Sequence, residues 1–444
     1  MALRVGRSLQ RSIRGWLSLH RRPIDPDRLR LWPILVVLPL TFVAAAAALA
    51  GLVWAARAWL NYPALPRPRA LSVHDWVSVL QLVFASVAGT GALVALIVAY
   101  RKQRTAEADS AHDRTRVFNE RFISIAKQLG DDKAAVRIAG VHAMAGLADD
   151  WMEHRQTCVD VLCAYLRMPN PSDPGEDAAP ADKLAHAADQ EVRQTAVRVL
   201  VSHLKPQAAV SWCGLDLDFT RVRFENADFG GAVFSNAQVS FRGAEFTGTM
   251  VNFSLASFIS GWVDFSDTVF CLSEEEPRNP QRYDWGGSRV DFGGADFLGG
   301  EVQFSCAMFT CGTLSFNSAR FRGARVDLDR VMFSSRNVEF IGADFAGGNV
   351  FLNDSVFSSE KVSFSHAKFH GWVSLSRAKF ADGTAQFTRA EFLTGEVDFR
   401  GATFSGAAVD FSDAKAWSCP PKFDFSPSSA PLSVRLPGSP AIGT

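Results

Sequence analysis

Phenylalanine follows a counting rule along the second half of this chain. From Phe219 the ring recurs at 224, 229, 234, 241, 246, 253, 258, 265 and 270, then again at 292, 297, 304, 309, 316 and 321. The first steps are five residues; later ones alternate five and seven, so Val-x-Phe-x-x-Ala-x-Phe returns every twelve residues, as at Val251 to Phe258, Val302 to Phe309 and Val397 to Phe404. Leu328, Leu352 and Leu375 replace Phe without breaking the count. Of 35 Phe residues, 28 keep this register, so here Phe is a structural code. A helix needs apolar residues three and four apart and a strand needs every second one; neither period fits. A short fixed period with inward rings belongs to a solenoid, in which each turn buries its apolar face against its neighbours.

If each Phe marks one side of a four-sided coil, the apolar residue two positions earlier (Ala227, Ala244, Val263, Ala295, Val338, Ala390) also points inward by strand alternation. The two extra residues of each seven-step bulge at alternate corners, where Gly243, Gly294, Gly323, Gly342 and Gly401 supply dihedrals that other residues disfavour. Counting from Phe219 to Ala416 yields 32 sides and 8 coils. At roughly 4.8 Å per rung the rod is about 40 Å long.

Units such as Asn226-Ala227-Asp228-Phe229-Gly230 followed by Gly231-Ala232-Val233-Phe234 resemble the pentapeptide-repeat family. That resemblance implies a right-handed quadrilateral β-helix filled by the central ring and by the residue two before it. The twelve-residue cadence departs from a uniform five and is similar to a Phe-rich subclass. A second departure is the step from Phe270 to Phe292, which carries about fifteen extra residues within 271–289, including Glu274-Glu275-Glu276 and Tyr283-Asp284-Trp285. An insertion of that length leaves the coil as a loop, either functional or a plain solvated excursion.

The rest of the chain divides as follows. Residues 1–31 form a basic arm with eight Arg, which reads either as a membrane-surface helix or as a positive flank. Residues 32–100 hold two uncharged stretches, about 33–56 and 76–100, each long enough for about 30 Å of hydrocarbon and ended by Trp or Tyr. They predict a two-helix transmembrane hairpin. Flanking Arg and Lys put both termini in the cytoplasm, and the lack of charge inside the spans makes the hairpin an anchor. Residues 101–206 read as a small all-α domain: Phe118, Phe122, Ile125 and Leu129 line one helix, Gly130 stops it, and Asp131 or Asp132 caps the next. Its wording resembles the helical segment of membrane-anchored bacterial pentapeptide-repeat proteins. That implies a bacterial plasma-membrane location with the bulk of the chain in the cytoplasm. Residues 211–416 are the β-helix, mainly β in class, and 417–444 a Pro/Ser-rich tail or loose cap.

Catalytic chemistry finds no foothold in these residues. No nucleophile elbow or phosphate-binding glycine loop occurs, and no cofactor motif. The seven cysteines are scattered and read as reduced thiols. His366 and His370 have a metal-like spacing but lack a third ligand, and Cys306 and Cys311 sit on adjacent sides of the coil. Residues 219–416 carry 24 acidic and 18 basic residues, with no basic stripe for nucleic acid. These observations point to a membrane-anchored, non-enzymatic scaffold that binds a protein partner. Trp262 and Trp372 project from one corner about four turns apart and, with Tyr283 and Trp285 in the insertion, are the candidate partner contacts. Two alternatives stand beside this reading. One, implied by the family, is modulation of DNA gyrase by a DNA-like acidic rod; the other is ligand sensing or catalysis at the 271–289 loop.

Overall fold

The computed structural model describes residues 73–169, 175, 177–271 and 288–438, with isolated helical positions between 39 and 58. The basic arm 1–31 and the insertion's Tyr283 and Trp285 lie outside the described residues. The chain separates into two compact units, Met1–Thr115 and Arg116–Thr444.

Among the described residues no helix is long and apolar enough to cross a membrane. The hairpin expected over 33–56 and 76–100 is therefore corrected, together with the membrane partner, the topology and the plasma-membrane location that rested on it. The physical reason lies in helix α1, Val73–Leu129, whose 57 residues run without a break. Residues 76–100 are thus one stretch of a longer helix that continues through Arg101, Lys102 and Arg104 into charged turns. Most of 33–56 lies outside the described residues.

In the second unit, α1 ends at Gly130 and three helices follow: α2 (Ala134–Asp150), α3 (Arg155–Arg167) and α4 (Pro180–Leu204). Lys133, and neither Asp131 nor Asp132, is the N-cap of α2. Asp131 instead accepts the Lys133 backbone N–H in a local Asx turn (2.8 Å). The helices bury Val141, Met144, Val159, Leu162, Val192 and Leu200, each on the face its spacing supplies.

From Leu217 the backbone winds as a right-handed solenoid of about eight turns, its strands forming four parallel sheets of 8, 7, 8 and 8. We name them A to D in the order a coil meets them, starting at Leu217–Asp218 (A), Arg223–Glu225 (B), Met250–Asn252 (C) and Val233–Phe234 (D); the first coil passes side C at Asp228, bridged to Asn252. Partners in successive coils are mostly 24 residues apart, as in Val290↔Leu314↔Val338, which is one five-seven-five-seven cycle. Each ring therefore lies over its counterpart one turn below. Phe292, Phe316 and Phe340 stack at 4.9 and 5.0 Å, and Phe297, Phe321 and Phe345 at 4.7 and 4.8 Å. Leu328, Leu352 and Leu375 occupy one contiguous run of a single column, and each is buried.

Corners preceding five-steps close by a turn from the Phe carbonyl to the amide three residues on, as in Ala256 N–H to Phe253 O (3.2 Å) and Ala319 N–H to Phe316 O (3.1 Å). The third residue of the turn takes a positive φ whatever its type: 63° at Gly243, but also 58° at Leu255, 55° at Ser318 and 59° at His366. Gly243, Gly294, Gly342 and Gly401, expected at the seven-step corners, stand instead at these five-step turns, and Gly323, at a seven-step, has no positive φ. Where glycine is required is close stacking of backbone at the wider corners. A Cβ on Gly300 would collide with the carbonyl oxygen of Gly261 one turn away.

Both ends of the solenoid are plugged. At the start, the Gln156 amide of α3 pairs with the open edge of sheet A as a peptide group would, donating to Asp216 O (2.8 Å) and accepting from Asp216 N–H (3.0 Å). Two residues on, Arg167 donates to Asp218 O (2.6 Å). Trp212 is fully buried beside them, its indole N–H on Asp149 (2.8 Å). Exposed parallel edges template aggregation, and these side chains occupy the edge. At the far end, Trp417 continues the ring register under Phe392, and strand Val434–Arg435 adds a last rung to sheet C. Phe423 stacks on Phe399 (5.3 Å) and Phe425 on Phe423 (4.8 Å). Residues 417–438 are therefore an ordered cap on the last coil.

Candidate protein-interaction face

A rod with its rings inside can address a partner only through its outward rows. In sheet A, strands Gly261–Asp264, Glu301–Gln303, Arg325–Asp327, Asn349–Phe351 and Trp372–Ser374 stack in succession. Their pairing places Trp262, Glu301, Arg325, Asn349 and Trp372 in one file. The two tryptophans lie four rungs apart, about 19 Å at the usual strand spacing. Trp372 is 41% exposed, and Trp262 is partly so.

Between them lies a residue that the ring code conceals. Phe351 precedes the inward Leu352 by one, so alternation turns it outward. It is nonetheless only 8% exposed, because the file beside it covers it. Trp372 meets its ring edge-on at 5.2 Å, and the Arg325 guanidinium sits 4.2 Å from its centroid. Arg325 is also held by Glu301 (3.3 Å) and Asp327 (3.6 Å). The result is an outward aromatic cluster with a cation laid over it, the composition that carries most energy in protein interfaces. A Phe out of register was the available signal at 351; nothing in the sequence marked Arg325.

The acidic surplus of the rod is spread thin by pairing. Along one outward file of sheet D, Asp296, Arg320, Asp344, Lys368 and Glu391 alternate in sign on successive rungs. Asp296 is bonded to Arg320, and Glu391 to Lys415 (2.6 Å). The Lys415 contact pulls the Glu391 carboxyl below its ordinary range. Elsewhere Arg400 does the same to Asp398 (2.7 Å), and Arg377 to Asp354 (2.6 Å). Carboxylates neutralised in this way make a poor copy of a phosphate backbone.

Among the described residues no group of three or more His, Cys, Asp or Glu is placed to hold a metal. Cys306 is exposed, whereas Cys311 is buried against Ser335 and its thiol is pushed up to about 11 by burial. Ser202, His203 and Asp149 mimic a nucleophile–base–acid trio. However, the Ser202 hydroxyl donates to Val199 O (2.7 Å), and the imidazole faces Val199 O (2.7 Å) and Asp149 (3.1 Å) with its two nitrogens. Nδ1, the nitrogen that Ser202 approaches (3.3 Å), lies closer to the Val199 carbonyl, so the trio lacks a free Ser–His contact. A cleft of about 170 Å³ opens between α4 and the first coil. Its buried Arg193 is spent on Leu166 O and Met168 O, closing the end of α3.

Comparison with known proteins bears on the solenoid alone. Family models described as pentapeptide repeats match residues 218–258, in the opening coils, and residues 364–415, in the closing ones. No curated protein and no solved structure matches the chain. The matched segments share with the coils between them the stacked rings, the small inward partner and the turn at the five-step. Residues 218–258 and 364–415 are thus identified as pentapeptide repeats, in agreement with the coil built between and around them.

Proposed function

We propose that this chain is a non-catalytic protein-interaction module whose partner docks on the outward face of sheet A. The observation that carries this reading is the Trp372–Phe351–Arg325 cluster, with Trp262 in the same file. Aromatic side chains in this solenoid are otherwise inward almost throughout, and an outward group half covered by a cation is costly to leave without a use. The face is flat and built on eight rigid rungs, so a partner meets pre-organised side chains and orders little on binding. Tyr283 and Trp285 of the insertion belong to the same proposal as a second contact.

The test is affinity purification of the full-length chain beside three variants: Trp262→Ala/Trp372→Ala, Arg325→Ala and a deletion of 272–287. The reading expects one protein recovered in stoichiometric amount by wild type and reduced at least tenfold by the tryptophan pair, with the melting curve kept. Equal recovery by wild type and the tryptophan variant overturns it. If only the deletion abolishes recovery, the contact lies in the insertion and sheet A is not the docking face.

A further inference from the structure

Sheet B presents an outward file unlike the others. Its first rung carries Arg223, and the next six carry Glu245, Val269, Met308, Met332, Val356 and Lys379 in that order, each the Cα partner of the next. Met308 is 38% and Met332 42% exposed, and the valines are half-buried. The neighbouring file on the same face is neutral and small over these rungs, with Thr247, Thr310, Ser334 and Ser358. Sheet D, the other face reached by five-residue steps, fills the equivalent file with the alternating charges described above. Apolar residues on four successive rungs, two exposed and two half-buried, therefore set sheet B apart, and such patches mark association sites.

The order of the six residues says what fits there. Reversed end for end, the file reads Lys, Val, Met, Met, Val, Glu. It is complementary to itself: Met308 falls opposite Met332, Val269 opposite Val356 and Glu245 opposite Lys379. A two-fold axis lying in the interface and parallel to the strands, midway between the Met308 and Met332 rungs, produces that match. An isologous contact requires such self-complementarity. Glu245 and Lys379 are exposed, and neither forms an ion pair within the chain among the described residues. In the equivalent file of sheet D the acids Asp296, Asp344 and Glu391 are each paired within the chain, whereas Glu245 and Lys379 stand at the two ends of the stripe.

We propose that two copies of this chain associate through sheet B, antiparallel, with a Met308–Met332 centre and two symmetric Glu245–Lys379 pairs. This surface is separate from the sheet A face, and a partner on sheet A is not obstructed by it. Six rungs span about 24 Å at the usual strand spacing. That face buries a few hundred Å² per protomer, below the roughly 800 Å² of a standard interface, so the dimer is weak and forms at tens to hundreds of micromolar chain. Thioether side chains suit such a contact because they adapt to one another without strain.

Sedimentation velocity of the full chain across that concentration range is the first measurement, with a reversible monomer–dimer equilibrium expected. Glu245→Lys places like charges at both ends of the interface and weakens the dimer at least tenfold. Lys379→Glu does the same, and the double variant Glu245→Lys/Lys379→Glu recovers the wild-type constant within about threefold because the pairs re-form with exchanged sign. Zero-length carbodiimide coupling provides a second readout. Glu245 and Lys379 of one chain are five rungs apart, about 24 Å, so a bond between them joins two copies. A chain that stays monomeric through the range overturns the proposal. So does a dimer indifferent to Glu245→Lys, or a double variant no tighter than either single one.

Discussion

Phe316 lies near the middle of its column and provides the sharpest test of the ring code. It has no exposed surface, stacks on Phe292 at 4.9 Å and on Phe340 at 5.0 Å, and meets Phe304 and Phe321 at 6.5 and 6.4 Å. Phe316→Ala removes the whole ring from a site whose walls are hydrogen-bonded backbone, so the cavity cannot collapse. The cost is about 3–5 kcal/mol, the range for Phe→Ala in a rigid core. The two stacked contacts, at about 0.5–1.5 kcal/mol each beyond area, are included in that figure. Phe316→Leu keeps most of the volume and uses a residue the solenoid itself accepts at 328, 352 and 375; it costs within about 1.5 kcal/mol. Phe404→Ala serves as the end-of-rod comparison, because Phe404 is already 7% exposed and lies on the last coil. Neighbour terms dominate in solenoids, so it costs less than the central deletion. Thermal melts by circular dichroism on the full chain should therefore rank wild type, Phe316→Leu, Phe404→Ala and Phe316→Ala, with the last lowered by at least about 5 °C. An unchanged melt for Phe316→Ala, or a larger loss for Phe404→Ala, refutes the stacked-column account.

Two further expectations concern the edges and the thiols. Gln156→Ala together with Arg167→Ala exposes the edge of sheet A at Asp216 and Asp218; about 1–3 kcal/mol of stability is lost and turbidity on warming rises, while a melt and light scattering equal to wild type would mean the edge needs no cover. Burial pushes the thiols of Cys158 and Cys311 up to about 11 and Cys163 to about 12, from 9.0. A folded chain holds them neutral while an unfolded chain ionises them near 9.0, so the stability they supply is complete below that pH and falls as pH climbs toward 11. Denaturant midpoints from pH 7 to 11 check the direction, and thiol labelling at pH 8 should modify exposed Cys306 while sparing these three.

The solenoid was legible because its code is local and repeated: each ring needs only the next coil to satisfy it, and miscounting by one would turn every Val outward. The common file of Trp262 and Trp372 follows from the same count. Phe351 fell outside the register, with Leu352 in the inward slot, but a single ring out of step does not say what it packs against on the outside. The cap was left open beside a loose tail because Phe423 and Phe425 fall among prolines and serines, although Phe423 stacks on Phe399 one repeat earlier. α1 misled for a different reason. An uncharged run from Trp76 to Tyr100 reads as a span when taken alone, but helix continuity is decided by hydrogen bonds that pass through Arg101 and Lys102 without pause. The expected cap at Asp131 or Asp132 failed because an Asx turn at Asp131 uses the same carboxylate first.

The plugs at the two ends have a consequence for how such a chain can change. A helix bundle or sandwich that gains or loses two dozen residues must repack; here a 24-residue insertion between any two middle coils meets the same neighbours above and below, and both plugs still find their own coil. Length is therefore quantised, in increments of about 4.8 Å along the axis. What such an event alters is the distance between marks on the outside. Adding one turn between Trp262 and Trp372 lengthens their separation by a fourth, and adding one off-centre, between Val269 and Met308, breaks the palindrome. The interior is indifferent to its own length, and the gauge of the surface is the property on which selection can act.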